Sequence, residues 1–221
     1  VSHAASSRAG FYCGVVFNLV EHPVVTAWTD RLRAIDTNYE EFRRLLRQIG
    51  QLMVPYATED LPTAEIDVDT PLEKTKGLQL EGGTPVVVSV LRAGNGLLDG
   101  VLTILSDADV GFIGLERDHE TLEAMEYLVK LPKLSGRHVL VVDPMLATGH
   151  SAVAALDRVT IETPASVTLM CVVAAPEGVA HLQTHHPDVR VVTAALDRGL
   201  NDVGYILPGL GDAGDRLYGT E

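Results

Sequence analysis

His138-Val139-Leu140-Val141-Val142-Asp143-Pro144-Met145-Leu146-Ala147-Thr148-Gly149-His150-Ser151 is the stretch that decides the fold. An apolar run without alternation ends on an acid, as in a strand covered on both faces. It passes through a turn containing Thr148 and Gly149 and enters a helical pattern that continues to about residue 159. Backbone N–H groups at the start of that helix, with the Thr148 and Ser151 hydroxyls, would form a cradle for a phosphate. Taken alone, the same residues read equally well as an ordinary strand–turn–helix with a serine cap.

Outward from this stretch the texture repeats. Residues 85–90, 110–115, 167–174 and 189–194 are short apolar, β-branched runs, and residues 177–185 carry a helical pattern. Continuous apolar strands alternating with helices predict a doubly wound α/β core of about five parallel strands. In such sheets ligands sit beyond the carboxyl ends of the strands, so the loops after Val90, Leu115 and Val142 are where chemistry is expected. Upstream, Phe42, Leu45, Leu46, Ile49, Leu52 and Met53 fall at helical spacing, predicting an amphipathic helix over residues 39–53 that ends near Pro55. Residues 57–83, with Pro62, Pro71 and Gly82-Gly83, read as short strands and turns. Residues 1–20 read as a small polar tail and a first strand, and residues 21–221 as one domain. The apolar stretch at residues 11–20 contains Asn18 and lacks a small-x-small cleavage site, so a strand is preferred to a signal peptide.

The 17 Lys and Arg against 30 Asp and Glu give the 221-residue chain a formal charge of −13. A surface that negative repels nucleic acid and anionic lipid, so an anionic substrate needs a local exception built from arginines, backbone amides or a metal. Two cysteines, Cys13 and Cys171, form no disulfide framework, and a reducing cytoplasm is the expected compartment. No apolar run approaches the ~20 residues of a membrane-spanning helix. Single arginines such as Arg92 and Arg117 are, on spacing alone, more often solvated than bound to a ligand. The eight histidines show no pair at a credible metal-ligand spacing.

Asp143-Pro144-Met145-Leu146-Ala147-Thr148-Gly149 resembles the phosphoribosyl-diphosphate loop of type I phosphoribosyltransferases, and Pro144 in place of a second acid resembles the uracil phosphoribosyltransferases. Three further segments agree in order. Val90-Leu91-Arg92-Ala93-Gly94 resembles the first diphosphate loop, and residues 115–123 the arm that folds over the diphosphate. Residues 204–219, rich in glycine, resemble the C-terminal uracil loop. The resemblance covers about nine-tenths of the chain.

The resemblance implies a type I phosphoribosyltransferase core with a hood from the N- and C-terminal segments. The implied reaction joins uracil to 5-phospho-α-D-ribose 1-diphosphate (PRPP), giving UMP and diphosphate. Arg92, Arg117 and Asp212 are implied to bind PRPP, together with the turn from Asp143 through Pro144, Met145, Leu146, Ala147, Thr148, Gly149 and His150 to Ser151. Tyr205, Ile206, Gly211, Asp212 and Ala213 are implied to hold uracil, and Arg117, Asp143 and Asp212 to serve catalysis. Mg²⁺ would arrive on PRPP rather than in a protein cage, GTP is implied as an allosteric activator, and a homo-oligomer is implied. The glycine-rich loop makes chemical sense unaided, because open backbone can read the donors and acceptors of a flat pyrimidine. His150 stands where the family usually has a second glycine and Glu116 where many relatives carry tyrosine, which leaves a homologue of reduced activity as one alternative. A pyrimidine-responsive RNA-binding regulator on the same fold is another, disfavoured by the net charge.

Overall fold

The computed structural model describes residues 8–12, 15–117 and 124–220. The chain opens with β1 (Arg8–Tyr12) and β2 (Val15–Leu19), then α1 (Pro23–Arg33) and α2 (Tyr39–Ala57), then a separate hairpin, β3 (Thr63–Asp69) and β4 (Lys74–Leu80). The core follows as β5 (Val86–Leu91), α3 (Gly94–Val101), β6 (Val110–Arg117), β7 (Ala124–Lys130), β8 (His138–Val142), β9 (Met145–Leu146), α4 (His150–Thr160), β10 (Ser166–Ala174), α5 (Pro176–His185) and β11 (Arg190–Leu196). A small hairpin, β12 (Gly199–Leu200) and β13 (Ile206–Leu207), and a short helix, α6 (Ala213–Tyr218), close the chain.

The main sheet runs β1-β2-β11-β10-β8-β5-β6-β7, with β9 added against β10. Strands β2, β11, β10, β8, β5 and β6 are parallel, and β1 and β7 are antiparallel at the two edges. The expected five-strand core is therefore extended by β2, the N-terminal strand, which joins the same sheet. The single strand expected over residues 11–20 is realised as β2, preceded by β1. Central strands alternate between two cores: Leu140 and Val142 of β8 face the α1–α2–α3 side, and Val139 and Val141 face α4 and α5. Both faces are dry, which is why these strands read as continuous apolar runs.

Helix α2 starts at Asn38, whose side chain accepts the Glu41 N–H (2.9 Å), with Glu40 and Glu41 in the first turn favouring the positive end of the helix. It runs two residues past Pro55, further than the sequence suggested. Val54 and Ala57 are buried there, and the Thr58 hydroxyl donates to the Val54 carbonyl (2.8 Å), so packing and a side-chain bond carry the last turn. Helix α1 was not expected from periodicity, although Pro23 at its first turn is a start signal. The C-terminal loop is also more regular than the glycines implied. Asp212 caps α6 by accepting the Asp215 N–H (2.9 Å), and Gly219 ends it at φ 68°.

The chain leaves β5 toward β6 and returns on the other side of β5 as β8. The loops after β5 and β8 therefore diverge at a topological switch point, where open α/β sheets place their ligands. A Cβ on Gly94 would lie 2.6 Å from the Val142 carbonyl oxygen, so the two loops touch backbone to backbone.

Candidate active site

A cavity of about 520 Å³ opens at that switch point. One wall is the turn after β8, contributing Asp143, Met145 to Gly149, and Ser151. A second is the turn after β5, with Arg92 and Ala93, across the Leu91–Arg92 peptide, which is cis. The third comes from the C-terminal hood, with Tyr205, Asp212 and Ala213. Three segments far apart in sequence thus converge, and eleven of the expected ligand residues line one space.

The turn after β8 owes its shape to close backbone contacts. Gly149 caps α4 at φ 87°, a region side chains disfavour, and no side chain caps the helix in its place. The first N–H groups of α4 therefore have no intrahelical acceptor and lie beside the cavity with the Thr148 and Ser151 residues, a ready anion cradle. From behind, Gly178 of α5 presses on this turn: a Cβ there would sit 2.3 Å from the Ala147 carbonyl oxygen.

The carboxylate at the floor is perturbed. Burial pushes the Asp143 carboxyl up to about 7; the nearby Asp212 charge acts in the same direction, and a hydrogen bond from the Met145 N–H (3.3 Å) opposes both. Arg92, half-exposed, lies 3.5 Å from Asp215, and its carbonyl accepts the Tyr218 hydroxyl (3.2 Å). The arginine is thus tethered to α6 yet still open to the cavity.

Four expected residues stand apart. The Pro144 carbonyl accepts the N–H groups of Val172 and Val173 (3.0 and 3.1 Å), facing β10 rather than the cavity. His150 is exposed, and its ring meets His181 edge-on at 4.6 Å on the α5 side. Ile206 is 3% exposed and packs in the core, while its backbone pairs with Leu200. Gly211 lies outside the cavity lining, next to Asp212. Arg117 ends β6, but its side chain and residues 118–123 lie outside the described residues.

The supporting residues carried no sequence signal. Arg33 of α1 donates to both oxygens of Asp197 and to the Gly209 carbonyl, all at 2.7 Å. Arg216 donates to the carbonyls of Leu210 and Ala34 (both 2.8 Å). These bonds fasten the N-terminal helices to the C-terminal loop and form the hood. Only the fold brings such distant partners together.

Among the described residues no group of three His, Cys, Asp or Glu is arranged to hold a metal ion. The cavity does contain two carboxylates, Asp143 and Asp212. That donor set fits a hydrated Mg²⁺ delivered on a diphosphate, which needs only one or two carboxylates from the protein. No helix among the described residues is long and apolar enough to cross a membrane.

The fold and site are those of an open α/β protein with an anion cradle at the switch point of a parallel sheet, roofed by a separate C-terminal loop. A family profile described as uracil phosphoribosyltransferase matches residues 19–220. A uracil phosphoribosyltransferase of Rhodococcus jostii is 52% identical over 205 residues, covering 92% of this chain and 98% of that one. One from Variovorax paradoxus is 51% identical over the same shares. A solved protein from Aquifex aeolicus superposes with a TM-score of 0.87 at 37% identity, covering 91% of this chain and 97% of that chain. The chain belongs to the uracil phosphoribosyltransferase family.

Proposed function

We propose that this chain transfers the phosphoribosyl group of PRPP to uracil, a step of pyrimidine salvage. The bond from the anomeric carbon to diphosphate breaks, a bond from that carbon to a ring nitrogen of uracil forms, and the nitrogen loses its proton. The observation that carries the reading is the convergence of the anion cradle at Thr148 to Ser151 with the backbone edges of the hood on one cavity.

In this reading the first N–H groups of α4, with Thr148 and Ser151, hold the 5′-phosphate. Asp143 accepts from the ribose hydroxyls. Arg92 clamps the diphosphate with a planar pair of donors, and Arg117 serves the same oxygens. Backbone groups beside Tyr205 and Ala213 read the uracil edge, and Asp212 stands between the two substrates. Mg²⁺, arriving on the diphosphate, supplies neutralisation of the charge that develops as this group leaves. Asp143 and Asp212 would hold its water shell. Alignment of two reactants in a dry cavity accounts for most of the rate, without a strong general base.

The same proposal places the reaction in the cytoplasm, in a homo-oligomer activated by GTP, with no nucleic-acid partner. Conversion of radiolabelled uracil to UMP, with and without Mg²⁺, tests the core of it. No product with Mg²⁺ and PRPP present would overturn the assignment. Initial rates with added GTP test the activation, and light scattering tests the oligomeric state.

A further inference from the structure

Part of the cavity wall is a turn without regular structure. Residues 201–205, between β12 and β13, place Val203, Gly204 and Tyr205 on the lining, and most of the turn is exposed. No core packs such a segment into shape, so its form has to come from hydrogen bonds. Asn201 takes part in four of them. Its N–H donates to the Tyr205 carbonyl (2.9 Å), and its carbonyl accepts the Gly204 N–H (3.0 Å). Its side-chain Oδ1 accepts the N–H groups of Val203 (3.1 Å) and Tyr205 (2.9 Å). A short polar side chain can bond its own backbone a few residues on, and an apolar one cannot.

The turn is also tied to the rest of the fold. On its far side Ile206 of β13 is buried in the core. On its near side the Leu200 N–H of β12 donates to Glu177 Oε1 (3.1 Å). A Cβ on Gly199 would lie 2.9 Å from the same oxygen, so carboxylate and strand are in close contact. Glu177 stands in the first turn of α5, where the positive end of the helix favours a carboxylate. The next residue, Gly178, is the one that lies against the Ala147 carbonyl. Consecutive residues of α5 thus support two walls: Gly178 the phosphate cradle, and Glu177 the strand that leads into the 201–205 turn. Neither Glu177 nor Asn201 lines the cavity.

We propose that Glu177 and Asn201 are positioning residues for the base, an inference that rests on the phosphoribosyl transfer to uracil proposed above. Glu177 sets where the 201–205 turn stands relative to the phosphate cradle, and Asn201 sets the shape of the turn. Transfer needs the ring nitrogen in line with the anomeric carbon, and a misplacement of about 1 Å costs on the order of a hundredfold in rate. Dedicated bonds from residues that touch no substrate hold that distance.

The test is steady-state kinetics of the full chain with each substrate varied. In Glu177→Ala and in Asn201→Ala, kcat/KM for uracil should fall by about fivefold or more, the loss of a bond or two of ordinary strength. KM for PRPP should stay within about twofold, because Gly178 and the cradle are untouched. Glu177→Gln and Asn201→Asp keep an acceptor oxygen in place and should restore most of the loss. Hydrogen exchange of residues 199–207 should quicken in the two alanine variants and return to the wild-type rate in the conservative pair. Wild-type kinetics in both alanine variants, or equal losses for the two substrates, would overturn the assignment. A wild-type chain that makes no UMP would refute the proposed reaction instead; unchanged exchange in the alanine variants would then refute the support of the turn as well.

Discussion

Arg33 and Asp197 meet through two parallel hydrogen bonds of 2.7 Å, and the Asp197 carboxylate also accepts the Gly209 N–H (2.9 Å). With only 15% and 6% of their side chains exposed, the two are an internal clamp between α1 and the C-terminal loop. Removing one partner leaves a buried charge alone, at a cost of about 3–5 kcal/mol. Arg33→Met should therefore lower the melting temperature and, because the clamp holds the hood, raise KM for uracil more than KM for PRPP. Equal changes in both constants would show that the clamp serves stability alone.

Arg92 tests the diphosphate wall. It is half-exposed in the free protein and is expected to be desolvated when PRPP binds, so Arg92→Ala should weaken PRPP use by about 2–5 kcal/mol. Arg92→Lys, a point charge without the fork, should recover only part of this. Steady-state kinetics with varied PRPP decide it, and wild-type values in both variants would remove Arg92 from the site.

Asp143 should leave a signature in stability. An acid raised to about 7 in the folded state, from about 4 unfolded, adds stability below its unfolded value and loses it as the pH climbs toward 7. Asp143→Asn keeps an acceptor for the Met145 N–H and removes the buried charge. It should raise the melting temperature of ligand-free protein at pH 8, by an amount that shrinks as the pH is lowered to 5, while turnover falls. A gain that does not vary with pH would mean that Asp143 ionises normally.

His150 turns its ring to His181, away from the cavity, so His150→Gly should change KM for PRPP little between pH 6 and 8. Burial lowers the His181 pKa, and His150 and His185 lower it further, so the same variant should move the His181 titration upward. Imidazole NMR signals report this directly. A loss of PRPP affinity concentrated at low pH would instead make His150 a phosphate ligand.

Base choice follows from the hood. Uracil and close 5-substituted analogues should react, and cytosine, hypoxanthine and guanine should not, because buried backbone groups would be left unpaired. Comparable turnover of a purine would sink the uracil assignment while leaving the fold intact.

The parallel core was legible because its strands are dry on both faces and announce themselves as apolar runs bounded by turns. The cradle was legible because Thr148 and Gly149 follow a strand that ends on Asp143. Other elements were hidden for physical reasons. Helix α1 buries only Val25, Thr29 and Leu32, too narrow a stripe to stand out as a period. Strand β7 lies at the sheet edge with Tyr127, Leu128 and Val129 exposed, so no buried pattern marked it. Helix α6 was concealed by glycines that serve its flanks and its packing. The resemblance put His150 among the PRPP-binding residues, while its place in the loop left open whether the ring reaches the phosphate or stands by; the ring meets His181 of α5, about thirty residues later.

Gly178 lies outside the cavity lining, yet it stands against the carbonyls of Leu146 and Ala147 and braces the cradle from behind. The working shape of the loop is therefore lent to it by the docking of α5. A shift of this helix by a fraction of an ångström would release those contacts and loosen the cradle without unfolding the sheet. Inactivation should precede loss of secondary structure, so the temperature at which the protein stops working is set locally, below the one at which it unfolds.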